Sequence, residues 1–323
     1  MLTTILKMVN VKRSLRAAVL EILRSAHEPI SGTQTGIRLG ISRVAVRKHI
    51  HKLMEEGFSI ETRKRGYLLI SEPDYPAPSE YDSRQVHILG EVESTMEEAC
   101  HSSSRPQEGI HFYVARRQRS GRGRNKKSWV SPEGGLYVTA IFKPRLPAAY
   151  CSLYVLHTGL YLCESLRHLF SVNCSFRWPN DICIKEKKLG GILLEISGPS
   201  ESPDRALIGV GLNIRSRREF TRVKDRTVTS LQAEVAGYSG ENLSPKYLFS
   251  QLKPAIESSL GKIKPEELRK RWNTETDAIG GSIAVNGADY TVCGLALNGS
   301  LVAADSNGQL FEIAPGLKIM GPV

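Results

Sequence analysis

A proline-rich segment divides this chain. Residues 71–80 read SEPDYPAPSE, with three prolines in ten positions. Because proline fixes φ and has no backbone N–H, such a segment cannot lie inside a helix or a central strand. We therefore predict a linker over residues 73–82, preceded by a small domain over residues 1–72.

Positive charge is concentrated before this linker. The whole chain has 44 Lys and Arg against 33 Asp and Glu, a formal net charge of +11. Residues 1–70 contain 13 Lys and Arg and five Glu, so the first fifth of the chain carries +8 of that charge. A small basic domain attached to a nearly neutral one indicates a polyanionic partner for the small domain.

Hydropathy and cysteine usage exclude several classes of protein. No apolar run reaches the roughly 18 residues that a bilayer span needs, and the first residues lack the apolar region and cleavage site of a signal peptide. The six cysteines form no C-x-x-C pair and no zinc-finger spacing, so we expect reduced cysteines in a core. We predict a cytoplasmic protein that does not bind membranes.

The small domain has the element order of a winged helix-turn-helix. Apolar spacing predicts helices over residues 13–26 and 31–39. Gly40 then makes a turn, and Ser42 caps a third helix that runs to about Glu56. Two strand-like runs joined by a basic tip follow this helix. A basic helix after a tight turn, with a basic hairpin behind it, predicts a winged helix-turn-helix that binds DNA.

The third helix carries cations opposite its core stripe. Val46, Ile50 and Leu53 recur at i, i+4 and i+7, which predicts the buried side. Donors to phosphates and base edges would come from the rest of the helix and from the hairpin tip. The predicted DNA-binding residues are Ser42, Arg43, Arg47, Lys48, His51, Lys52, Arg63, Lys64 and Arg65. The alternative is a solvated basic helix in a small cap domain.

The middle region alternates strands and helices. A long helix is predicted over residues 150–170, and Ser94 to Glu97 open a shorter one. This pattern predicts an α+β domain over residues 83–274, with a central mixed β-sheet and helices on one side. The predicted strands are 88–93, 111–118, 136–143, 176–185, 189–197 and 207–214.

The tail follows a second change of pattern near residues 273–281. Short alternating runs with N-G turns replace the helical spacing there. We predict four or five short strands and a small SH3-like β-barrel over residues 275–323.

Four motifs of the middle region carry candidate chemistry. Residues 118–129 read QRSGRGRNKKSW, a glycine-containing cationic loop whose backbone N–H groups can face an anion. Lys188 begins an otherwise apolar strand, where an ammonium group can neutralise a carboxylate and a phosphate. The others are RWPND at 177–181 and GVGLNI at 209–214, whose alternating glycines leave room for a flat ligand.

Each motif taken alone also fits a structural role. The basic loop fits a solvated loop or a second nucleic-acid contact, and W-P-N-D fits a turn stabilised by its Asn and Asp. Lys188 fits a strand-edge lysine. The glycine run lacks the G-x-G-x-x-G spacing, which argues against a dinucleotide site. On single motifs both interpretations stay open.

Taken together, the motifs resemble those of the biotin protein ligase family. With the basic winged helix in front, the chain resembles the bifunctional bacterial members, which are also repressors of the biotin operon. The resemblance extends from about residue 13 to the end and implies the fold shared with class II aminoacyl-tRNA synthetases. The ordered motifs are E-S-T at 93–95, Q-x-S-G-R-G-R at 118–124, W-P-N-D at 178–181, K-L-G-G-I-L-x-E at 188–195 and G-x-G-x-N at 209–213.

The resemblance implies a two-step reaction. The carboxylate of biotin attacks the α-phosphate of ATP to give biotinyl-5′-AMP and pyrophosphate, and a carrier-protein lysine then attacks the mixed anhydride. Lys188 and Arg122 are implied as catalytic residues. The implied biotin contacts are Ser94, Thr95, Met96, Gln118, Arg122, Gly123, Arg124 and Lys188. The implied contacts to ATP or the adenylate are Gly121, Arg122, Arg124, Asn180, Asp181, Gly211 and Asn213.

Two further expectations concern the metal ion and one departure from the family pattern. Mg²⁺ is expected to arrive with ATP and to lie near Asp181, with no fixed metal site in the protein. Family members commonly have Asn where this chain has Met96. Either recognition of the ureido group is weaker, or Met96 packs on the biotin ring and its backbone N–H is used.

The resemblance also implies the partners. They are a biotin carboxyl carrier protein, operator DNA of biotin synthesis genes, and a second copy of the chain when biotinyl-5′-AMP is bound as co-repressor. The alternatives are a lipoate-type ligase of the same fold, a biotin-sensing repressor without ligase activity, and a ligase that does not bind DNA. Lys188 and the intact Gly-Arg loop argue against the second, and the basic third helix argues against the third.

Overall fold

A computed structural model gives the arrangement of these elements. It describes residues 14–102, 108–222, 227–235, 237, 240–316 and 319–320. The first residues of the predicted small domain, 1–13, and the last residues of the predicted barrel, 321–323, lie outside the described residues. The chain divides into two compact units, Met1–Ile88 and Leu89–Val323.

The first unit contains three helices and a two-stranded antiparallel hairpin. Ser14, Ser31 and Ser42 each cap one helix, because each side-chain oxygen accepts from a backbone N–H in the first turn. Gly40, with a φ of 67°, ends the second helix and makes the tight turn. The predicted order of elements is confirmed. The elements are α1 (Leu15–Arg24), α2 (Gly32–Leu39), α3 (Arg43–Glu55), β1 (Ser59–Arg63) and β2 (Gly66–Ser71).

One apolar core joins these helices to the hairpin. The predicted stripe of α3, Val46, Ile50 and Leu53, is buried. It forms a single cluster with buried residues of α1 and with Phe58 and Ile60 beside the hairpin. Burial of this stripe fixes the opposite side of α3 as the outward side.

The proline segment, predicted as a linker over 73–82, packs onto the first unit. Ala77 is buried and belongs to the same apolar core as α3. Arg24 of α1 donates hydrogen bonds to Glu72 (2.6 and 2.8 Å) and to Glu80 (2.6 Å). Proline excludes regular secondary structure but not burial, and the segment therefore belongs to this compact unit.

The second unit is built on a seven-stranded sheet. Its strands are β3 (Val86–Val92), β4 (His111–Gln118), β5 (Leu136–Phe142), β6 (Cys174–Arg177), β7 (Asp181–Ile184), β8 (Lys187–Ser197) and β9 (Arg205–Leu212). They lie in the order β3-β4-β5-β9-β8-β7-β6. In the spatial series β4-β5-β9-β8-β7-β6, each strand pairs antiparallel with the next. Lys188 adds an isolated parallel bridge to Val228. Apart from β6 and β7, the strands begin and end within two residues of the predicted positions.

Helices pack on both faces of this sheet, whereas they were predicted on one face. Thr139 of β5 contacts Thr95 of the helix Thr95–Ser102 (α4), while Phe142 contacts Tyr154 of the helix Ser152–Phe170 (α5). Positions 139 and 142 point to opposite faces because side chains alternate along a strand. The short α4 has apolar residues of its own to bury, and the second face covers them. The helices are α4 (Thr95–Ser102), α5 (Ser152–Phe170), α6 (Leu231–Glu234), α7 (Pro245–Ser259) and α8 (Pro265–Glu275).

The single strand predicted over residues 176–185 is wrong. The structure has a hairpin there, in which Arg177 of β6 lies opposite Asp181 of β7. Residues 178–180 make the turn, and the Trp178–Pro179 peptide bond is cis. Pro179 has no N–H for a ladder, so strand pairing is interrupted at that point. Apolar residues on both sides of the turn gave the pattern of one strand.

The tail forms a five-stranded antiparallel sheet in the same compact unit. Trp178 Nε1 donates to the Gly299 carbonyl (3.0 Å), and Ser152 Oγ donates to the Asn298 carbonyl (2.7 Å). The strands are β10 (Ser282–Val285), β11 (Ala288–Leu295), β12 (Leu301–Ala304), β13 (Leu310–Ile313) and β14 (Ile319–Met320). They lie in the order β13-β12-β11-β10-β14. Within the ranges that the structure describes, no helix is long and apolar enough to cross a membrane.

Candidate active site and nucleic-acid interface

A cavity of about 840 Å³ lies in the second unit, beside the basic loop after β4. This volume is within the range of ordinary ligand pockets. Of the residues predicted to bind biotin or ATP, only Gly121 lies outside the lining of this cavity. The Gly121 carbonyl accepts a hydrogen bond from the Trp129 N–H (2.8 Å). The predicted residues in the lining are Ser94, Thr95, Met96, Gln118, Arg122, Gly123, Arg124, Asn180, Asp181, Lys188, Gly211 and Asn213.

A polar cluster with fixed hydrogen bonds lies around Gln118. Its Oε1 accepts from the backbone N–H (2.8 Å) and the hydroxyl (3.1 Å) of Thr95, and its Nε2 donates to Ser131 Oγ (2.8 Å). Thr139 Oγ1 donates to Thr95 Oγ1 (2.8 Å). These bonds orient the Gln118 amide and the Thr95 hydroxyl at the cavity in advance of any ligand, with Ser131 and Thr139 behind them. Ser131 and Thr139 were not predicted from the sequence, although alternation along β5 points Thr139 to the same face as Tyr137.

Met96 is buried beside this cluster. A Cβ at Gly209 would lie 2.9 Å from the Met96 sulfur, so glycine at 209 permits the close packing. The Met96 backbone N–H donates to Ser94 Oγ (3.3 Å). Met96 therefore contributes an apolar surface to the cavity, and its N–H is already engaged within the protein.

Lys188 and Asp181 form an ion pair in the cavity wall. Lys188 Nζ lies 2.7 Å from Asp181 Oδ1, and the two side chains are 21% and 5% exposed. Pairing offsets much of the desolvation of two charges at such a site. The neighbouring Cys183 is buried, and burial raises its pKa to about 11, so this thiol is neutral at pH 7. The charged chemistry of this wall therefore belongs to the ion pair.

The basic loop brings two arginines to the same cavity. Arg124 Nη1 donates to Asn180 Oδ1 (3.0 Å), and Arg122 Nη2 donates to Glu195 (3.1 Å) at the exposed rim. Together with Lys188 they place three cations in the lining of one cavity, each beside a polar or acidic side chain, and Lys127 and Arg177 line it as well. Glu195 was quoted in the K-L-G-G-I-L-x-E motif but not predicted as a partner of the loop.

The alternating glycines of β9, together with Gly191 of β8, do make room for a flat group, and that group is the protein's own Trp129. Gly191 and Gly211 lie opposite each other in the sheet. A Cβ at Gly211 would lie 2.5 Å from Trp129 Nε1, and one at Gly191 would lie 3.3 Å from the indole ring. Lys188 Nζ lies 5.0 Å from the centre of the same ring. Trp129 is the last residue of the predicted basic loop. Its large aromatic side chain in an otherwise polar loop was the sequence feature that could have predicted packing against the glycines.

Asn213 presents a buried acceptor at the cavity. Its Nδ2 donates to the Thr229 carbonyl (3.1 Å), while its Oδ1 has no hydrogen-bond partner among the described residues. A buried acceptor without a partner is costly. The cavity therefore offers a position for an N–H group of a ligand.

A basic surface covers the outward side of α3 in the first unit. Ser42 is exposed, but its hydroxyl accepts from the Ala45 N–H and caps the helix. At the hairpin tip, Arg63 pairs with Glu61 (2.7 Å), and the next two cations are exposed. All predicted DNA contacts thus lie on the surface of one unit. Those exposed on α3 are Arg43, Arg47, Lys48, His51 and Lys52.

Two family profiles match the two units of the chain. The profile of the Biotin/lipoate A/B protein ligase family matches residues 90–213, and that of the HTH domain matches residues 16–68. The bifunctional ligase/repressor BirA of Salmonella typhimurium is 32% identical over 240 residues, which cover 70% of this chain and 72% of that protein. The chain belongs to the bifunctional biotin ligase/repressor family.

Further comparisons agree with membership in the bifunctional biotin ligase/repressor family. BirA of Bacillus subtilis is 31% identical over 218 residues, which cover 64% of this chain and 67% of that protein. A solved structure of the biotin protein ligase from Aquifex aeolicus, in complex with biotin and ATP, aligns with a TM-score of 0.59 and 26% identity. The alignment covers 73% of this chain and 99% of that one. The biotin ligase fold is therefore shared.

Proposed function

We propose that this chain is an ATP-dependent biotin protein ligase and a DNA-binding repressor of biotin synthesis genes. The ligase assignment depends on one observation: Lys188, Arg122 and Arg124 line the same cavity as the polar cluster around Gln118. Cations suit a carboxylate and a triphosphate, and fixed amide and hydroxyl groups suit the ureido group of biotin. The final acceptor is a lysine of a biotin carboxyl carrier protein.

In the first step, a carboxylate oxygen of biotin attacks the α-phosphorus of ATP. The new P–O bond forms as the bond to pyrophosphate breaks. The two reactants are anions, so the barrier falls when a cation lies between them. We assign this role to the Lys188 ammonium group, which Asp181 holds in place. Arg122 joins it when its guanidinium leaves Glu195 for the ligand.

In the second step, the neutral amine of the carrier lysine attacks the carbonyl carbon of the adenylate. The C–O bond to AMP breaks, and the nitrogen loses a proton. A mixed anhydride is hydrolysable, so exclusion of water matters. We assign that role to the loop 118–129, with Gly123 and Arg124 over the adenylate.

For ATP, we propose contacts to Asn180, Gly211 and Asn213, which line the cavity, whereas Gly121 lies outside the lining. The Asn213 Oδ1 acceptor suits the exocyclic amino group of adenine. In the part of the chain that the structure describes, no group of three or more His, Cys, Asp or Glu side chains is arranged to hold a metal ion. Mg²⁺ would enter with the phosphates, which supply most of its ligands, and Asp181 would be the nearby carboxylate.

The ligase half is tested by incubation with labelled biotin, Mg-ATP and a biotin carrier domain. We expect pyrophosphate release and label on the carrier lysine, and no label on a carrier whose acceptor lysine is replaced by arginine. Labelled lipoate should transfer poorly, because its dithiolane ring has no N–H or carbonyl group to hydrogen-bond the polar side chains at Gln118, as the ureido group of biotin has. Preferred transfer of lipoate would instead establish a lipoate-type ligase. Biotin-dependent DNA binding without any transfer would establish a repressor that lacks ligase activity.

The repressor half predicts a change in salt dependence when two cations of α3 are removed. In the double variant Arg47→Ala with Lys48→Ala, two phosphate contacts are lost. The negative slope of log affinity against log salt should therefore become less steep by about 1.8. Binding to operator DNA is measured by gel shift with biotin and ATP present. The matched control is Arg269→Ala with Lys270→Ala, an exposed Arg-Lys pair on α8. An unchanged slope in the α3 variant would contradict the assignment of DNA binding to α3. A loss of biotin ligation in that variant as large as its loss of DNA binding would contradict it too.

We also propose that the ligand-bound protein is a homodimer on a two-fold operator. Sedimentation that shows a monomer on operator DNA at saturating biotin and ATP would contradict this.

For the domain limits, we propose a ligase domain over residues 83–274 and an SH3-like barrel over 275–323. Five short antiparallel strands support the barrel, as does the irregularity in β11 between Val292 and Gly294, since bulges curve a sheet.

A further inference from the structure

Val44 points away from the core of the first unit. Successive residues of an α-helix are separated by about 100°, so Val44 lies about 200° around α3 from the buried Val46. Its side chain is 78% exposed. The large apolar side chain in the first turn of α3 is therefore on the outward side.

Cations surround Val44 on this side. Lys48 and His51 follow it at i+4 and i+7, in one stripe along the outward side, and both are exposed. Arg47 and Lys52, also exposed, flank that stripe. Arg43 leans instead toward α2, with its Cγ 3.5 Å from the position of a Cβ at Gly32. The stripe thus begins with an apolar group and continues with the Lys48 ammonium group and the His51 imidazole.

This setting favours nucleic acid over protein as the surface that covers Val44. Protein-binding surfaces of an apolar kind are contiguous patches, whereas Val44 is one apolar side chain among cations. On DNA, cations contact phosphates, and apolar side chains meet the 5-methyl group of thymine in the major groove. The first turn of a recognition helix is the part that approaches base edges.

We propose that Val44 is a specificity-determining residue, which packs against the 5-methyl group of a thymine in each operator half-site. The inference rests on the proposed DNA binding. It adds that part of the sequence preference comes from apolar contact rather than from hydrogen bonds.

The test replaces single methyl groups on the DNA. Duplexes are first selected from a random pool with the full-length protein, biotin and Mg-ATP. Each thymine of the selected duplex is then replaced by deoxyuridine, which removes only the 5-methyl group. At one thymine per half-site, the loss should weaken binding by the wild-type protein by about fourfold, the factor for one buried methyl group. Val44→Ala should bind thymine and deoxyuridine duplexes equally at that position.

Two further variants serve as controls. Val44→Thr keeps one methyl group and the β-branch, so it should keep part of the discrimination. Ile37→Ala, at a residue of α2 that is also 78% exposed, should keep the full wild-type response. Melting temperatures from circular dichroism check folding. If Val44→Ala does not fold, the proposal is judged from how strongly the loss of the thymine methyl group weakens binding by the wild-type protein and by Val44→Thr.

The outcomes separate the two proposals. A selected duplex without any methyl-sensitive thymine, or full sensitivity in folded Val44→Ala, would overturn the role of Val44 and leave DNA binding intact. Failure to enrich any duplex would overturn the proposed DNA binding and the role of Val44 with it.

Discussion

Replacement of Lys188 by methionine is expected to lower the rate of biotinyl-adenylate formation by roughly a thousandfold. The Lys188 side chain is 21% exposed, its ammonium group lies 2.7 Å from Asp181, and the reaction brings two anions together beside it. Loss of one group that stabilises developing charge in an active site typically costs about two to three orders of magnitude. Single-turnover pyrophosphate release with biotin and ATP, without carrier protein, measures this step alone.

Two controls separate charge from folding. Lys188→Met leaves the Asp181 carboxylate buried without its cation, and breaking such a pair costs about 3–5 kcal/mol of stability. The double variant Lys188→Met with Asp181→Asn removes that penalty and should regain melting temperature without regaining activity. Lys187→Met is the control for a lysine that only occupies the edge of the strand, because Lys187 pairs with Glu234 and does not line the cavity. This variant should release pyrophosphate at the wild-type rate. Near-normal pyrophosphate release from folded Lys188→Met would remove the catalytic assignment.

The second large effect is expected at Gly211. A methyl group there would lie 2.5 Å from Trp129 Nε1, so the indole must move from its position over β8 and β9. Overpacking of a well-filled site typically costs about 1–3 kcal/mol, and we expect Gly211→Ala to weaken biotin and ATP binding by about tenfold or more. Calorimetric titration measures the affinity. Indole fluorescence, measured with Trp178 replaced by Phe because Trp178 lines the same cavity, reports the move of Trp129, since Trp272 is buried and does not line the cavity.

The matched control for Gly211→Ala is Gly90→Ala. Gly90 is also a strand glycine of the same sheet, and an added Cβ there would meet nothing within 4 Å. Its substitution should leave affinity and indole fluorescence unchanged. Equal effects at the two positions would indicate general sensitivity of the sheet rather than displacement of Trp129.

Much of the fold could be predicted because its signals are local. The serine caps, the glycine turn after α2 and the apolar stripe of α3 are each determined within a few residues, and the structure has all three. The cavity residues were named because the ordered motifs resemble those of the biotin protein ligase family, since each motif taken alone also fitted a structural role. Their convergence on one cavity was likewise an implication of that resemblance and not of any local pattern.

The remaining features depend on contacts between distant parts of the chain. Apolar alternation continues across Trp178 and Pro179, so the pattern did not distinguish one strand from a hairpin. The partners of Arg122 and Arg124 lie 73 and 56 positions further along the chain, and no local pattern links them. The position of the Trp129 indole over Gly191 and Gly211 was not predicted, because a single aromatic residue in an irregular loop forms no periodic pattern that would show which face it packs on.

The contacts of the proline segment determine where the first unit can be cut. Ala77 contributes to its apolar core, and Glu80 accepts from Arg24. A fragment that stopped at the first proline would expose part of that core and leave the guanidinium with fewer acceptors. The shortest self-sufficient DNA-binding fragment therefore extends through the prolines.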